Sequence, residues 1–138
     1  IEPMSSELNT RAIIRAIETG LVDVVVHPGN PHFPIDHSKL VRAMSDAGIT
    51  MEINNSSLVS PRRRGSDTNC AELARLAVKY NLTLVLGSDA HSPWQVGELT
   101  EAFELATGCG VKPEQLLNFS AERIRAYLKG RGKKRYSS

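Results

Sequence analysis

The sequence predicts an α/β fold built on a parallel sheet, and three observations predict it. Short runs rich in β-branched and aliphatic residues recur at Val22–Val26, Ile49–Ile53 and Thr83–Leu86, each bounded by turn formers and too short for a helix. Longer segments with apolar residues at helical spacing lie between them. Each short run gives way to polar residues able to do chemistry: His27-Pro28-Gly29-Asn30-Pro31, Asn54-Asn55-Ser56-Ser57 and Gly87-Ser88-Asp89-Ala90-His91. Strands alternating with helices imply parallel pairing. A parallel barrel or open sheet assembles its site at the carboxyl-terminal ends of its strands.

Taken in order, the first helix is predicted from Ser6 to Thr19, with Leu8, Ala12, Ile13, Ala16 and Ile17 on one face and Gly20 as its stop. The strand Val22–Val26 follows. Asp36 or Ser38 can start a second helix bearing Leu40, Val41, Met44 and Ala47, stopped at Gly48 before the strand Ile49–Ile53. Ser66-Asp67-Thr68 can cap a third helix carrying Cys70, Leu73, Ala74, Ala77 and Val78, which leads to the strand Thr83–Leu86. A further helix is predicted over Val96–Leu105. A turn around Pro113–Leu117 and a closing helix over Ser120–Lys129, with Ile124, Tyr127 and Leu128 as its apolar stripe, complete the order.

Alternation along an extended chain assigns faces. Asp23, Val25 and His27 share one face of the first strand, opposite Val22, Val24 and Val26. Glu52, Asn54 and Ser56 oppose Ile49, Met51 and Ile53 in the second; Thr83, Val85, Gly87, Asp89 and His91 oppose Leu82, Leu84 and Leu86 in the third. Each strand then has an apolar face for helices and a second face that turns polar towards its end. Asp89 and His91, two residues apart, are expected to converge on one point, as a metal-dependent hydrolase requires. Taken alone, the same spacing also describes a loop with a capping Asp and a surface His.

Composition narrows the class. A chain of 138 residues suits a single domain with one core. No apolar run approaches the roughly 18 residues of a membrane span, and the start lacks the basic and apolar regions of a signal peptide. Two cysteines make no disulfide framework, so Cys70 and Cys109 are read as reduced thiols of a cytoplasmic protein. The net charge of +2 conceals an asymmetry. Lys129, Arg131, Lys133, Lys134 and Arg135 crowd the last ten residues, leaving 12 basic and 15 acidic side chains in residues 1–128, a net of −3. Residues 129–138 are read as a solvated basic tail; without interleaved aromatics, nucleic acid is not expected as a partner. Arg62-Arg63-Arg64 stand between a strand end and a helix start, where free N–H groups favour anions and arginines can clamp phosphate oxygens. The alternative there is an exposed charged loop.

The motif His27-Pro28-Gly29-Asn30-Pro31, then Glu52-Ile53-Asn54-Asn55-Ser56-Ser57, then Arg63-Arg64-Gly65-Ser66 with Asn69-Cys70, then Gly87-Ser88-Asp89-Ala90-His91 occur in that order. Together they resemble the stand-alone phosphatase branch of the PHP (polymerase and histidinol phosphatase) family, from about Asn9 to Arg131 and including Leu116-Leu117-Asn118. The resemblance implies a distorted, TIM-barrel-like (β/α)7 barrel with up to three metal ions, usually zinc, sometimes manganese or iron, that hydrolyses phosphoesters. By position, His27 resembles a ligand of one metal, Asp89 of a second and His91 of the third. Arg63 and Arg64 match a basic pair associated with phosphate. Glu52 and Asn54 face the same interior and are assigned to supporting or substrate contacts; His32 and His37 are expected to be loop histidines.

The departures define the remaining expectations. Relatives carry an amino-terminal half with a His-x-His strand, further histidines and a bridging glutamate, and a ligand His before a Glu-Pro pair; Ile1-Glu2-Pro3 shows no such His. Parallel barrels take roughly 200 residues or more, so three strands are expected to be the carboxyl-terminal part of a larger enzyme, with residues 1–128 as its folded portion. The expected activity is metal-dependent phosphomonoester hydrolysis of a small phosphorylated substrate, Asp89 and His91 being the catalytic candidates. Two alternatives stand beside it. One is a single zinc ion held by His27, Asp89 and His91 alone. The other is a non-catalytic phosphate-binding or accessory module, able to self-associate through open sheet edges.

Overall fold

The computed structural model describes residues 5–132. Helix α1 (Ser6–Glu18) is followed by strand β1 (Val24–Val25), helix α2 (His37–Ala47), strand β2 (Thr50–Asn54) and a short helix α3 (Asn55–Val59). Helix α4 (Ser66–Lys79), strand β3 (Leu84–Gly87), helix α5 (Thr100–Gly108) and helix α6 (Ala121–Gly130) complete the chain, with single 3-10 turns at Pro61–Arg63, Pro93–Gln95, Pro113–Gln115 and Leu117–Phe119. The three strands form one parallel sheet in the order β1-β2-β3. The fold is therefore mixed α/β with a small parallel sheet, as the alternation of runs predicts.

Helix ends follow local chemistry. The side chains of Ser5, Asp36 and Ser120 accept hydrogen bonds from the backbone N–H groups of Leu8, Lys39 and Arg123, capping α1, α2 and α6. The Lys39 N–H holds the Asp36 carboxyl below its ordinary range. Gly48 ends α2 in the left-handed conformation that a residue without Cβ adopts at low cost. Thr10 ties two of these ends together, since its hydroxyl donates to Ser6 O and accepts from Asp36 N.

The core lies between the sheet and α2 and α4. Leu40, Val41 and Met44 of α2, Leu73, Ala74 and Ala77 of α4, and Met51, Ile53 and Leu84 of the sheet are fully buried. Ala102 and Ala106 of α5 join the same cluster. In-register pairing of Val25 with Met51, and of Met51 with Leu84, places one buried row across all three strands. The alternation read in β2 and β3 matches this burial. That read in β1 does not: Val25 is buried and Val26 is half exposed, because the register puts Val25 beside Met51.

Four other expectations are corrected. Helix α5 begins at Thr100, not Val96, because Pro93–Gln95 forms its own turn and Gly97 adopts a positive φ. Helix α4 receives no side-chain cap from Ser66-Asp67-Thr68; Gly65 occupies the cap position and the Ser66 hydroxyl is buried without a hydrogen-bond partner among the described residues. The run Asn55-Ser56-Ser57, read as the polar end of a strand, is the start of α3. His37 is no loop residue: it opens α2 and its Nδ1 lies 2.8 Å from Glu72 Oε2.

The sheet is tied at the far end by α6. The Tyr127 hydroxyl donates to Asp23 O and accepts from Thr50 N. Arg131 donates to Val22 O and Ala47 O and pairs with the Asp23 carboxylate at 3.4 Å. Lys129–Arg131, read as the start of a solvated tail, thus belong partly to the fold; residues 133–138, like Ile1-Glu2-Pro3, lie outside the described residues. No helix among the described residues is long and apolar enough to cross a membrane.

Candidate active site

The carboxyl-terminal ends of β1, β2 and β3 bring His27, Glu52, Asn54 and Asp89 to one edge of the sheet. Two of these residues have unusual backbones. His27 has φ of 32° and Asp89 of 52°; Asn81 is the other non-glycine with positive φ among the described residues, and it sits in a simple turn. Such conformations cost about 1–3 kcal/mol each in non-glycine residues and persist where surroundings enforce them, commonly at functional sites. His27 also precedes Pro28, which restricts it further.

Glu52 supplies part of that enforcement. Its Oε2 accepts a hydrogen bond from His27 N at 2.8 Å and another from Asn54 Nδ2 at 3.2 Å. A backbone donor to a carboxylate contributes about 1.5–3 kcal/mol, comparable to the strain at His27. The Glu52 side chain reaches this position across Gly87, its neighbour but one on β3. A Cβ at Gly87 would overlap the Glu52 carboxylate, meeting Cδ at 2.8 Å. Gly87 is thus needed for close approach.

Arg63 bridges the end of β2, the start of α3 and the loop after β3. Its Nη1 donates to Ser57 Oγ at 2.7 Å and to Asn54 Oδ1 at 3.3 Å, and lies 3.1 Å from Asp89 Oδ2. Asn54 Oδ1 in turn caps α3 through Ser57 N. Arg64 points elsewhere. It is exposed, makes no hydrogen bond or ion pair among the described residues, and lines a cleft of about 330 Å³ with Ser57, Ser60, Arg63, Gly65 and Asp67. The sequence treats the two arginines as a pair; the fold separates them into an inward and an outward residue.

His91 does not converge with Asp89 as the alternation argument expects. β3 ends at Gly87 and Asp89 is left-handed, so the two-residue repeat of an extended strand no longer applies. His91 is exposed, its Nδ1 lies 2.7 Å from Asp89 O, and its N–H donates to Gln95 Oε1.

Asp89 tests the fit of a cation. Its Oδ2 is enclosed and faces the Arg63 charge at 3.1 Å, yet accepts no hydrogen bond among the described residues, so its lone pairs are open to a cation. The donor type suits a divalent metal. Among the described residues no group of three or more His, Cys, Asp or Glu side chains is gathered to hold a metal ion, so His27, Asp89 and His91 do not form the single-zinc arrangement.

Behind the site, Gly29 packs on Cys70 so closely that a Cβ there would come within 2.6 Å of the sulfur. Asn69 Nδ2 donates to Gly29 O, fixing the His27–Pro31 loop on α4. Burial, with the Asp67 and Glu52 carboxylates nearby, pushes the Cys70 thiol up to about 12. At pH 8 its thiolate is then roughly one part in ten thousand. Iodoacetamide is expected to label Cys109 in the folded protein and Cys70 only after unfolding, as peptide mass spectrometry would read. Rapid native labelling of Cys70 would contradict its placement. The sequence marked Glu52 and Asn54 as supporting or substrate contacts, and held Gly87 and Asn118 within its motifs with no role given; the Asn118 side-chain amide bonds both Leu86 N and Leu86 O. Asn is a favoured N-cap residue, so the sequence carried a signal for the capping role of Asn54.

Comparison with known proteins adds a second line. Residues 68–118 match the family model described as PHP-associated. The chain is 40% identical over 132 residues to a probable phosphatase of Shewanella frigidimarina, covering 96% of this chain and 53% of that protein. It is 41% identical over 128 residues to a probable phosphatase of Thermoanaerobacter sp., covering 93% and 52%, and 39% identical over 129 residues to one of Acetivibrio thermocellus, covering 94% and 53%. The resemblance to PHP phosphatases read from the motifs is borne out at this level. The chain spans about half the length of the curated relatives it matches.

Proposed function

We infer that this chain, PHP-associated over residues 68–118 and similar along nearly all its length to probable phosphatases, is the carboxyl-terminal part of a metal-dependent phosphomonoesterase. The observation that carries the reading is the pair of left-handed strand ends at His27 and Asp89, with the Asp89 Oδ2 enclosed and without a hydrogen bond among the described residues. In this proposal residues 1–128 contribute three strands of a distorted (β/α)7 barrel. The substrate is a small phosphorylated molecule, and the two free cysteines suit a reducing, cytoplasmic setting.

His27, Asp89 and His91 would hold cations, up to three zinc ions or manganese or iron, together with ligands from outside this chain. Bound cations of this kind supply a polarised phosphoryl group and a water acidic enough to attack near neutral pH. The residues of this chain do the remaining work. Glu52 fixes the His27 backbone, and Asn54 and Ser57 fix Arg63 beside Asp89. Arg64, facing solvent from its cleft, would receive phosphate oxygens by paired hydrogen bonds.

Chelation tests the proposal. The full protein, stripped of metal as verified by elemental analysis, should lose hydrolysis of an aryl phosphomonoester and regain it at least about tenfold with zinc or manganese. Hydrolysis undiminished without metal would rule the mechanism out. Phosphate binding without turnover in the metal-loaded protein would favour the accessory-module reading.

A further inference from the structure

Arg63 Nη1 faces three acceptors, yet it carries two hydrogens. Both are committed, to Ser57 Oγ at 2.7 Å and to Asn54 Oδ1 at 3.3 Å. Asp89 Oδ2, 3.1 Å from the same nitrogen, receives its charge and no hydrogen bond. The carboxylate is therefore balanced electrostatically while its lone pairs stay open. A hydrogen-bonded salt bridge would present a saturated oxygen; this arrangement presents one that a second cation can take.

We propose that Arg63 is the resident counter-cation of Asp89, holding the carboxylate in place before metal arrives and giving it up when a metal ion binds Oδ2. This rests on the metal-site reading above and adds a competition to it. Two like charges cannot share one oxygen at 3 Å without repulsion, so metal entry drives the guanidinium off Asp89. Ser57 and Asn54 remain as its anchors, and the freed face turns to the position a phosphate oxygen would take. Arg63 is then a positioning residue in the metal-free protein and an anion contact in the loaded one. The neighbouring Arg64, without such partners, has no equivalent exchange to make.

The test measures metal binding, not turnover. Zinc affinity of the full protein is determined by competition with a chromophoric chelator for wild type, Arg63→Gln and Arg63→Lys. Removing the competing charge should tighten the site by about tenfold in Arg63→Gln, while Arg63→Lys, which keeps the charge, stays near wild type. A merely structural arginine predicts the reverse: weaker binding in Arg63→Gln, because Asp89 is no longer held. Equal or weaker affinity in Arg63→Gln overturns the competition and leaves the metal site standing. A wild-type protein that takes up no metal removes the metal reading itself, and the competition with it. Should Arg63→Gln fail to fold, the structure of the metal-loaded wild type decides. A guanidinium withdrawn beyond about 4 Å from Asp89 Oδ2 is expected, and one still at its present distance overturns the proposal.

Discussion

Asp89→Asn in the full protein is expected to lower phosphomonoester turnover on the order of a hundredfold or more, with the fold retained. In the proposed metal site the effect is one of charge. An amide of the same shape keeps the volume of the carboxylate but offers one neutral acceptor to a cation. Loss of residues that merely orient metal ligands commonly gives 10–100-fold, and a direct ligand sets a higher floor. Thermal unfolding separates this from collapse of the site. Asp89 is partly exposed and its pairing with Arg63 carries no hydrogen bond, so the substitution should move the melting temperature little. Turnover within about threefold of wild type, measured with saturating metal, would remove Asp89 from the reaction.

Gly87→Ala should damage stability and activity together. The added methyl would meet Glu52 Cδ at 2.8 Å and Cγ at 3.3 Å. Overpacking of this kind costs about 1–3 kcal/mol. The carboxylate can escape by rotating away, but it then releases His27 N. His27 is a left-handed residue before a proline, and without that bond its backbone strain is no longer offset. The measurement pairs denaturant unfolding with turnover, using Gly130→Ala as the reference, since a Cβ at Gly130 meets nothing within 4 Å. A Gly87→Ala protein as stable and active as the Gly130 variant would show that Glu52 does not position the loop.

The sequence was legible where a periodic pattern met a local stop signal. α1, α2 and α6 start at Ser5, Asp36 and Ser120 and fall within a residue or two of their expected bounds, because capping and amphipathic spacing act over a single turn. β2 and β3 were legible for the same reason. β1 was legible as an element but not in its facing, since its register is imposed by β2 and only two of its residues pair. At the site, His27, Glu52, Asn54 and Asp89 were identified by type and brought to one edge by topology. The positive φ at Asp89 was not legible: it broke the alternation that should have aimed His91 inward. The split between Arg63 and Arg64 was equally hidden. It arises from the turn at Pro61–Arg63, which directs one guanidinium towards Ser57 and leaves the next residue outside.

The latch at the far end of the sheet has a consequence for how the chain is made. β1 has only two paired residues, and the groups that secure its beginning, Tyr127 and Arg131, come 104 to 109 positions later. Closing so long a loop is entropically slow, whereas α4, β3 and the contacts of β2 with β3 close over much shorter stretches. During synthesis the first strand therefore waits on the last helix. Until the ribosome has released α6, Val24–Val25 rests on β2 without its latch, and His27, carried immediately after it, is held by Glu52 alone of these ties. Helix α6 thus finishes the loop that β1 begins.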